Sequence, residues 1–192
     1  MNHEKLINYL NQFGKISEDE EKDIIKYFIP IKVKKKDILI ERHSICNKLF
    51  FVNDGLLRTY YIDSNGNEFT RRIAWERGFL TNMDSFRKNG VDNNETIECI
   101  ENAKILQISK EDLEKLIFSS ENLKNIYTII LEKYIAINIR RYQHISNSSP
   151  LERLICFNKN YPDLKNRIND NILASFLAIS RSTLIRTRRE VD

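Results

Sequence analysis

The 192-residue chain has only three cysteines, Cys46, Cys99 and Cys156, far apart and with no CxxC pair among them. This excludes the close spacings of structural zinc sites and suits a reducing, cytoplasmic setting. The three histidines, His3, His43 and His144, are equally scattered, so no metal or haem ligand set is expected. No apolar run approaches the roughly 18 residues that a membrane span needs, and Met1-Asn2-His3-Glu4-Lys5 opens no signal pattern. A Gly-rich phosphate loop is missing, and so is a nucleophile flanked by recognisable partners; an enzyme is not expected and no cofactor is implied. Carboxylates such as Glu68, Glu76 and Asp84 read as solvated strand ends.

Apolar residues make up 41% of the chain, enough to bury the core of one large domain or two small ones. Charged residues make up 30%, with a net charge of +4. The excess is uneven: residues 147–192 hold eight Lys/Arg against five Asp/Glu, a local +3. Positive charge therefore gathers at the C-terminal end.

That end reads as two short helices joined by a tight turn. Asn169 or Asp170 can cap the first, since a short side-chain oxygen takes a free amide of the first turn. Leu173, Phe176 and Leu177 fall on one face, and Ala174 is small where a second helix must cross. Ala178-Ile179-Ser180 forms the turn, Ser180 caps the second helix, and Leu184 faces inward. The outward face carries Arg181, Ser182, Arg186 and Arg189, with Arg188 alongside. This is the pattern of a helix-turn-helix with a DNA-reading second helix. An amphipathic hairpin with a solvated basic face is the plainer alternative. Glycine is common in such a turn; Ala178 would cost about 1 kcal/mol there if the backbone must turn left-handed.

Before this module the chain changes character twice. Leu6, Ile7, Leu10 and Phe13 have helical spacing, and Ser17-Glu18-Asp19-Glu20 starts a helix that Pro30 ends. Residues 31–109 carry short β-branched and aromatic runs separated by turn signals, with Asp63-Ser64-Asn65-Gly66 marking a hairpin. Seven or eight evenly spaced strands predict an antiparallel barrel or jelly roll, whose mouth can bind a ligand. Lys110–Phe118 is a short helix, followed by a long one over roughly 120–145. Leu123, Tyr127, Ile130, Tyr134 and Ile137 form an apolar seam along it, expected to pair with its twin in a homodimer, and further apolar residues need cover from the barrel. His144–Pro150 reads as a hinge, and Pro150 restarts a helix. The expected organisation is thus α+β, with an effector domain over 1–119, a dimerisation helix over 120–146 and a helix-turn-helix over 147–192.

This order of parts resembles the Crp/Fnr family of bacterial transcription regulators over nearly the whole chain. Leu49–Arg58 is similar to the family's strand pair ending in Gly-x-Leu/Val-Arg, and Ile105–Leu113 to its last strand and following helix. Tyr161–Arg186 looks like the subgroup common in Bacteroidetes-type sequences. The resemblance implies a cytoplasmic homodimer on double-stranded DNA, with RNA polymerase as a further partner, a small-molecule effector and no membrane. It also implies a phosphate-binding cassette, from which this chain departs. Thr81-Asn82-Met83 stands where cyclic-nucleotide binders have Gly-Glu-Leu, and Asn93-Asn94-Glu95 where they have Arg-Ser/Thr-Ala. The arginine that would pair with phosphate is replaced, and a carboxylate has arrived. Cyclic AMP is therefore not an expected ligand, and the effector is unknown. The chain stops at Asp192, so the family's C-terminal wing is not expected.

In the family's motif, Arg181, Ser182 and Arg186 reach base edges, and arginine can fork onto guanine O6 and N7. Ser180, Thr183, Arg188 and Arg189 suit phosphates, which position without specifying. The competing function is a ligand-binding sensor whose degenerate helix-turn-helix contacts protein.

Overall fold

The computed structural model describes residues 3–88 and 93–190. Two N-terminal helices come first, α1 (Glu4–Leu10) and α2 (Glu18–Tyr27). Ser17 starts α2 through a capping box: its hydroxyl accepts from Glu20 N at 3.3 Å, and its own amide donates to the Glu20 carboxylate at 2.8 Å.

Among the described residues eight strands follow: β1 (Ile29–Val33), β2 (Ile38–Ile40), β3 (Lys48–Asp54), β4 (Leu57–Ile62), β5 (Glu68–Ala74), β6 (Phe79–Leu80), β7 (Thr96–Cys99) and β8 (Ala103–Ser109). They form two four-stranded antiparallel sheets, ordered β1-β8-β3-β6 and β2-β7-β4-β5. The core between the sheets is alternating residues from both, including Phe50, Val52, Leu57, Ala74, Ile97 and Ile105. The predicted hairpin joins β4 to β5. Asp63 Oδ1 accepts from the amides of Asn65 and Asn67, both at 2.8 Å, which fixes the turn. Gly55 turns β3 into β4 with φ +102°; a Cβ there would lie 2.5 Å from Ala103 Cβ, so only glycine fits. One residue in β5 breaks the ladder: Thr59 opposes Arg72 while Tyr60 opposes Thr70, so Arg71 is the extra residue of a bulge.

Two elements lie outside the pattern expected from the sequence: β6, and the helix after it, α3 (Met83–Lys88). Asn82 starts α3, its Oδ1 accepting from the amides of Asp84 and Ser85. Helices α4 (Lys110–Ser119) and α5 (Glu121–Asn147) then cover the outer face of the first sheet together with α1 and α2.

Helix α5 corrects the expected dimer seam. Leu123 is 5% exposed and packs, with Ile126, into the chain's own core beside Phe51 and Leu106. Tyr127 and Ile130 lie against that same core, and the Tyr134 ring is covered by Arg72 at 3.9 Å. These side chains face the barrel because the first sheet's outer face is apolar and needs a helix over it. Of the expected seam, Ile137 is exposed. The other large apolar side chains that α5 leaves exposed are Ile135, Ile139 and Tyr142.

The remaining helices are α6 (Pro150–Asn160), α7 (Asp170–Phe176) and α8 (Arg181–Arg188), with a 3₁₀ turn at Pro162–Leu164. The polar tract expected as a hinge is largely helical, since α5 continues to Asn147 and α6 begins at Pro150. Arg153 ties the junction: it donates to the carbonyls of Ile145 and Ser148 on one side and of Leu177 and Ala178 on the other.

Candidate nucleic-acid interface and effector barrel

Helices α7 and α8 form the expected two-helix unit. Asn169 Oδ1 accepts from Ile172 N at 2.9 Å and starts α7; Ser180 Oγ accepts from Thr183 N at 3.0 Å and starts α8. Ala174, Leu177 and Leu184 are buried where the helices meet α6, in a core with Leu154, Phe157 and Leu164. Ala178 in the turn has φ +54°, the left-handed conformation for which glycine is better suited.

On α8, Arg181, Ser182, Ile185 and Arg186 are exposed on one side, with Arg189 at the C-cap exposed as well, while Leu184 and Thr187 are buried on the other. Thr183 is half-buried, and its hydroxyl and that of Ser182 both lie 2.8 Å from Ser180 Oγ. Arg188, expected among the phosphate contacts, is ion-paired to Asp170 at 2.8 Å and links α8 back to α7. Its charge is partly neutralised within the module, which the spacing of Asp170 and Arg188 in sequence does not announce.

The module is docked on the second sheet. Leu56, Ile73 and Ile100 of the strand region share its apolar core, with Trp75 against Tyr161. The Ser175 hydroxyl accepts from Thr70 N at 2.7 Å and lies 2.6 Å from Thr70 Oγ1. Arg141 of α5 donates to the Thr70 carbonyl at 3.0 Å and stacks on Phe176 at 4.0 Å. Arg167 closes the edge with a fork onto Glu76, at 2.9 and 3.0 Å, and a further ion pair to Glu101. Burial opposes ionisation of Glu76, but the Arg167 guanidinium and the Gly55 amide outweigh it and hold the carboxyl at about 2. Glu76 is therefore not a solvated strand end, whereas Glu68, the first residue of β5, is exposed as expected and pairs with Arg58 at 2.8 Å.

The cassette positions come together as a closed hydrogen-bonded patch. Asn82 Nδ2 donates to Asn93 Oδ1, which also accepts from Glu95 N at 3.0 Å, and Asn93 Nδ2 donates to the Glu41 carbonyl at 3.0 Å. Thr81 Oγ1 donates to the Lys48 carbonyl at 2.8 Å and sits 3.3 Å from Cys46 Sγ. Asn94 is exposed and Met83 half-buried. Glu95 is buried against Arg71, which donates to its carboxylate. Asn82 is engaged with Asn93, Thr81 and Asn93 with backbone carbonyls, and Glu95 already has Arg71 as its cation. An apolar cavity of about 80 Å³ adjoins the patch at Thr81 and Met83, where β6, α3, α4 and α5 meet, and is also lined by Phe79, Phe86, Leu116, Ile130 and Tyr134.

Among the described residues no cluster of three His, Cys, Asp or Glu could hold a metal ion, and no helix is long and apolar enough to cross a membrane.

Residues 30–120 match the family model of the cyclic nucleotide-binding domain. No curated protein sequence matches the chain. Solved structures match it along most of its length. A transcriptional regulator of the Crp/Fnr family from Eubacterium rectale is 20% identical over 95% of this chain and 87% of its own, with a TM-score of 0.73. The c-di-GMP responsive global regulator CLP of Xanthomonas campestris is 12% identical over 91% of each chain, with a TM-score of 0.73. A CooA mutant from Carboxydothermus hydrogenoformans is 17% identical over 96% of this chain and 83% of its own, with a TM-score of 0.70. Residues 30–120 are thus similar to the cyclic nucleotide-binding domain, and the chain shares its fold with Crp/Fnr-type regulators of known structure.

Proposed function

We propose that the chain is a sequence-specific DNA-binding transcription regulator that acts as a homodimer. The observation that carries this is α8 itself: a capped helix with one buried edge and, on the other, exposed Arg181, Ser182, Ile185 and Arg186, continued by Arg189 at its C-cap. Arg181 and Arg186 read guanines, Ser182 adds a weaker contact, and Arg189 with the Ser180 and Thr183 hydroxyls meets phosphates. The dimer pairs through α5, now by its outward stripe. Ile135, Ile139 and Tyr142 recur at helical spacing and are 54%, 52% and 73% exposed, more apolar surface than a lone helix leaves to water. A two-fold dimer presents two copies of α8 to an inverted repeat about 34 Å from centre to centre.

The β domain acts as the effector domain and does not take cyclic AMP. Asn93 stands in the arginine's place, Glu95 is satisfied by Arg71, and the donors of Thr81, Asn82 and Asn93 are spent within the protein. Selection of binding sites from random duplexes with the purified chain tests the reading. Enrichment of an inverted repeat with guanines in each half supports it; a pool that stays random contradicts it and favours a sensor that contacts protein.

A further inference from the structure

Inside the barrel, one row of side chains crosses three strands. Ile97 of β7 opposes Thr59 of β4, and Thr59 opposes Arg72 of β5. Directly opposed residues point to the same face, and the next row, Cys99, Leu57 and Ala74, belongs to the core between the sheets. Thr59 and Arg72 are therefore neighbours on the inner face, near where Tyr134 of α5 covers it. Both carry polar atoms with nothing to bond. Thr59 Oγ1 is fully buried and without a hydrogen-bond partner, and so is Arg72 Nη1.

The charges around them do not balance. Arg72 makes no ion pair among the described residues; its guanidinium lies on the Tyr134 ring at 3.9 Å. The charged groups that bear on it are Arg71 and Glu95, which pair with each other, and Arg141, a further cation. A cation is left over in a site with little water. A bound water would satisfy the hydrogen bonds but not the charge, and stacking on one tyrosine offsets only part of the desolvation.

We infer that Arg72 and Thr59 form a binding site for a small oxyanion, a carboxylate or phosphate group of an effector, seated on β4 and β5 beneath Tyr134. Arg72 supplies charge and N–H donors, and the Thr59 hydroxyl donates a second hydrogen bond. The cation missing from the cassette is thus supplied from within the same sheet, two strands from β7, by the strand that carries the bulge. Because Tyr134 belongs to α5, and Arg141 two turns on reaches Thr70 and Phe176, an anion at Arg72 bears on the helix that also contacts the DNA-binding module. The inference rests on reading the β domain as an effector domain.

The full-length chain is titrated with sodium phosphate and, separately, with sodium acetate, at constant ionic strength in chloride, by calorimetry. Saturable binding of one phosphate or one acetate per chain is expected, and the ion that binds tells which kind of effector fits. Arg72→Gln should weaken it by at least tenfold and Thr59→Val by several-fold, while Lys22→Ala, on the exposed face of α2, leaves it unchanged. Arg72→Lys keeps the charge and should retain weakened binding, which guards against misfolding of the glutamine variant. Two results overturn the inference: neither ion binding saturably within tens of millimolar, or binding unchanged in folded Arg72 and Thr59 variants. Anion binding that survives alongside a failure to select any DNA site would sink the regulator reading and leave this one standing.

Discussion

At the scale of single residues, several positions pull against ordinary preference, and their cost is measurable. Ala178 holds φ +54° in the turn between α7 and α8. Ala178→Gly should raise stability by up to about 1 kcal/mol, seen as a higher urea midpoint with an unchanged slope. A lower midpoint would mean that the alanine methyl packs too well to lose. Glu76 is the acid-sensitive contact. Its folded carboxyl titrates at about 2, below the ordinary 4.5. A depressed folded value stabilises fully above the ordinary value and is lost as pH falls from there toward 2. Melting temperature should therefore drop across that interval, and Glu76→Gln should lower it near neutral pH while flattening the acid limb. An acid limb identical in the two proteins would show that this ion pair does not set the acid sensitivity.

At the scale of elements, α5 shows what the sequence makes legible. Its length, its apolar excess and its need for cover on more than one side could be read from the spacing of Leu123, Ile126, Ile130 and Tyr134. Which side met the barrel could not, because both sides are apolar and only the first sheet's outer face, built from distant strands, decides it. The consequence is testable. Glu substitutions at Ile135 and Ile139 should yield folded monomers in sedimentation, because they place charge on the outward stripe. Leu123→Glu should instead unfold the chain, because it buries an unpaired charge in the core. A dimer unaffected by the outer changes would place the partner elsewhere.

The strands and the hairpin were legible because period-two runs and Asp63–Gly66 are local signals. Helix α3 was not: it is six residues long and held by tertiary bonds, Asn82 to Asn93 and Ser85 to Cys46 N. The ion pairs of Arg167 and Arg188, and the meeting of Thr59 with Arg72, likewise depend on register and docking rather than on neighbours in sequence.

Helix α8 carries the sharpest prediction at this scale. Arg181→Ala or Arg186→Ala should cost about 1–3 kcal/mol on the selected site and relax one base position in each half. Arg188→Ala should act otherwise, because Arg188 is tied to Asp170: it should lower stability modestly and weaken all duplexes alike, with base preferences kept. Competition binding on single-base operator variants separates the two; altered preferences on losing Arg188 would mean that α8 lies rotated on the DNA, with Arg188 turned toward the bases.

At the scale of the whole molecule, the helix-turn-helix module and the β domain are joined by one shared apolar core, by Ser175 and Arg141 at Thr70, and by Arg167 at Glu76 and Glu101. A change at the inner face of β5 thus lies on the strand whose other face packs against the C-terminal helix module. Calorimetry with cyclic AMP should give no saturable heat in the range where a cassette arginine would bind it; a micromolar dissociation constant would refute the reading of Asn93–Glu95. The central claim is that two copies of this chain read an inverted repeat through α8. The most direct measurement is the stoichiometry and salt dependence of binding to the selected duplex, beside a scrambled duplex of equal length. Two chains per duplex are predicted, with affinity falling steeply with salt on both duplexes and a preference for the selected one that Arg186→Ala erodes. Equal affinity for the two duplexes, or no binding to either, would contradict the claim.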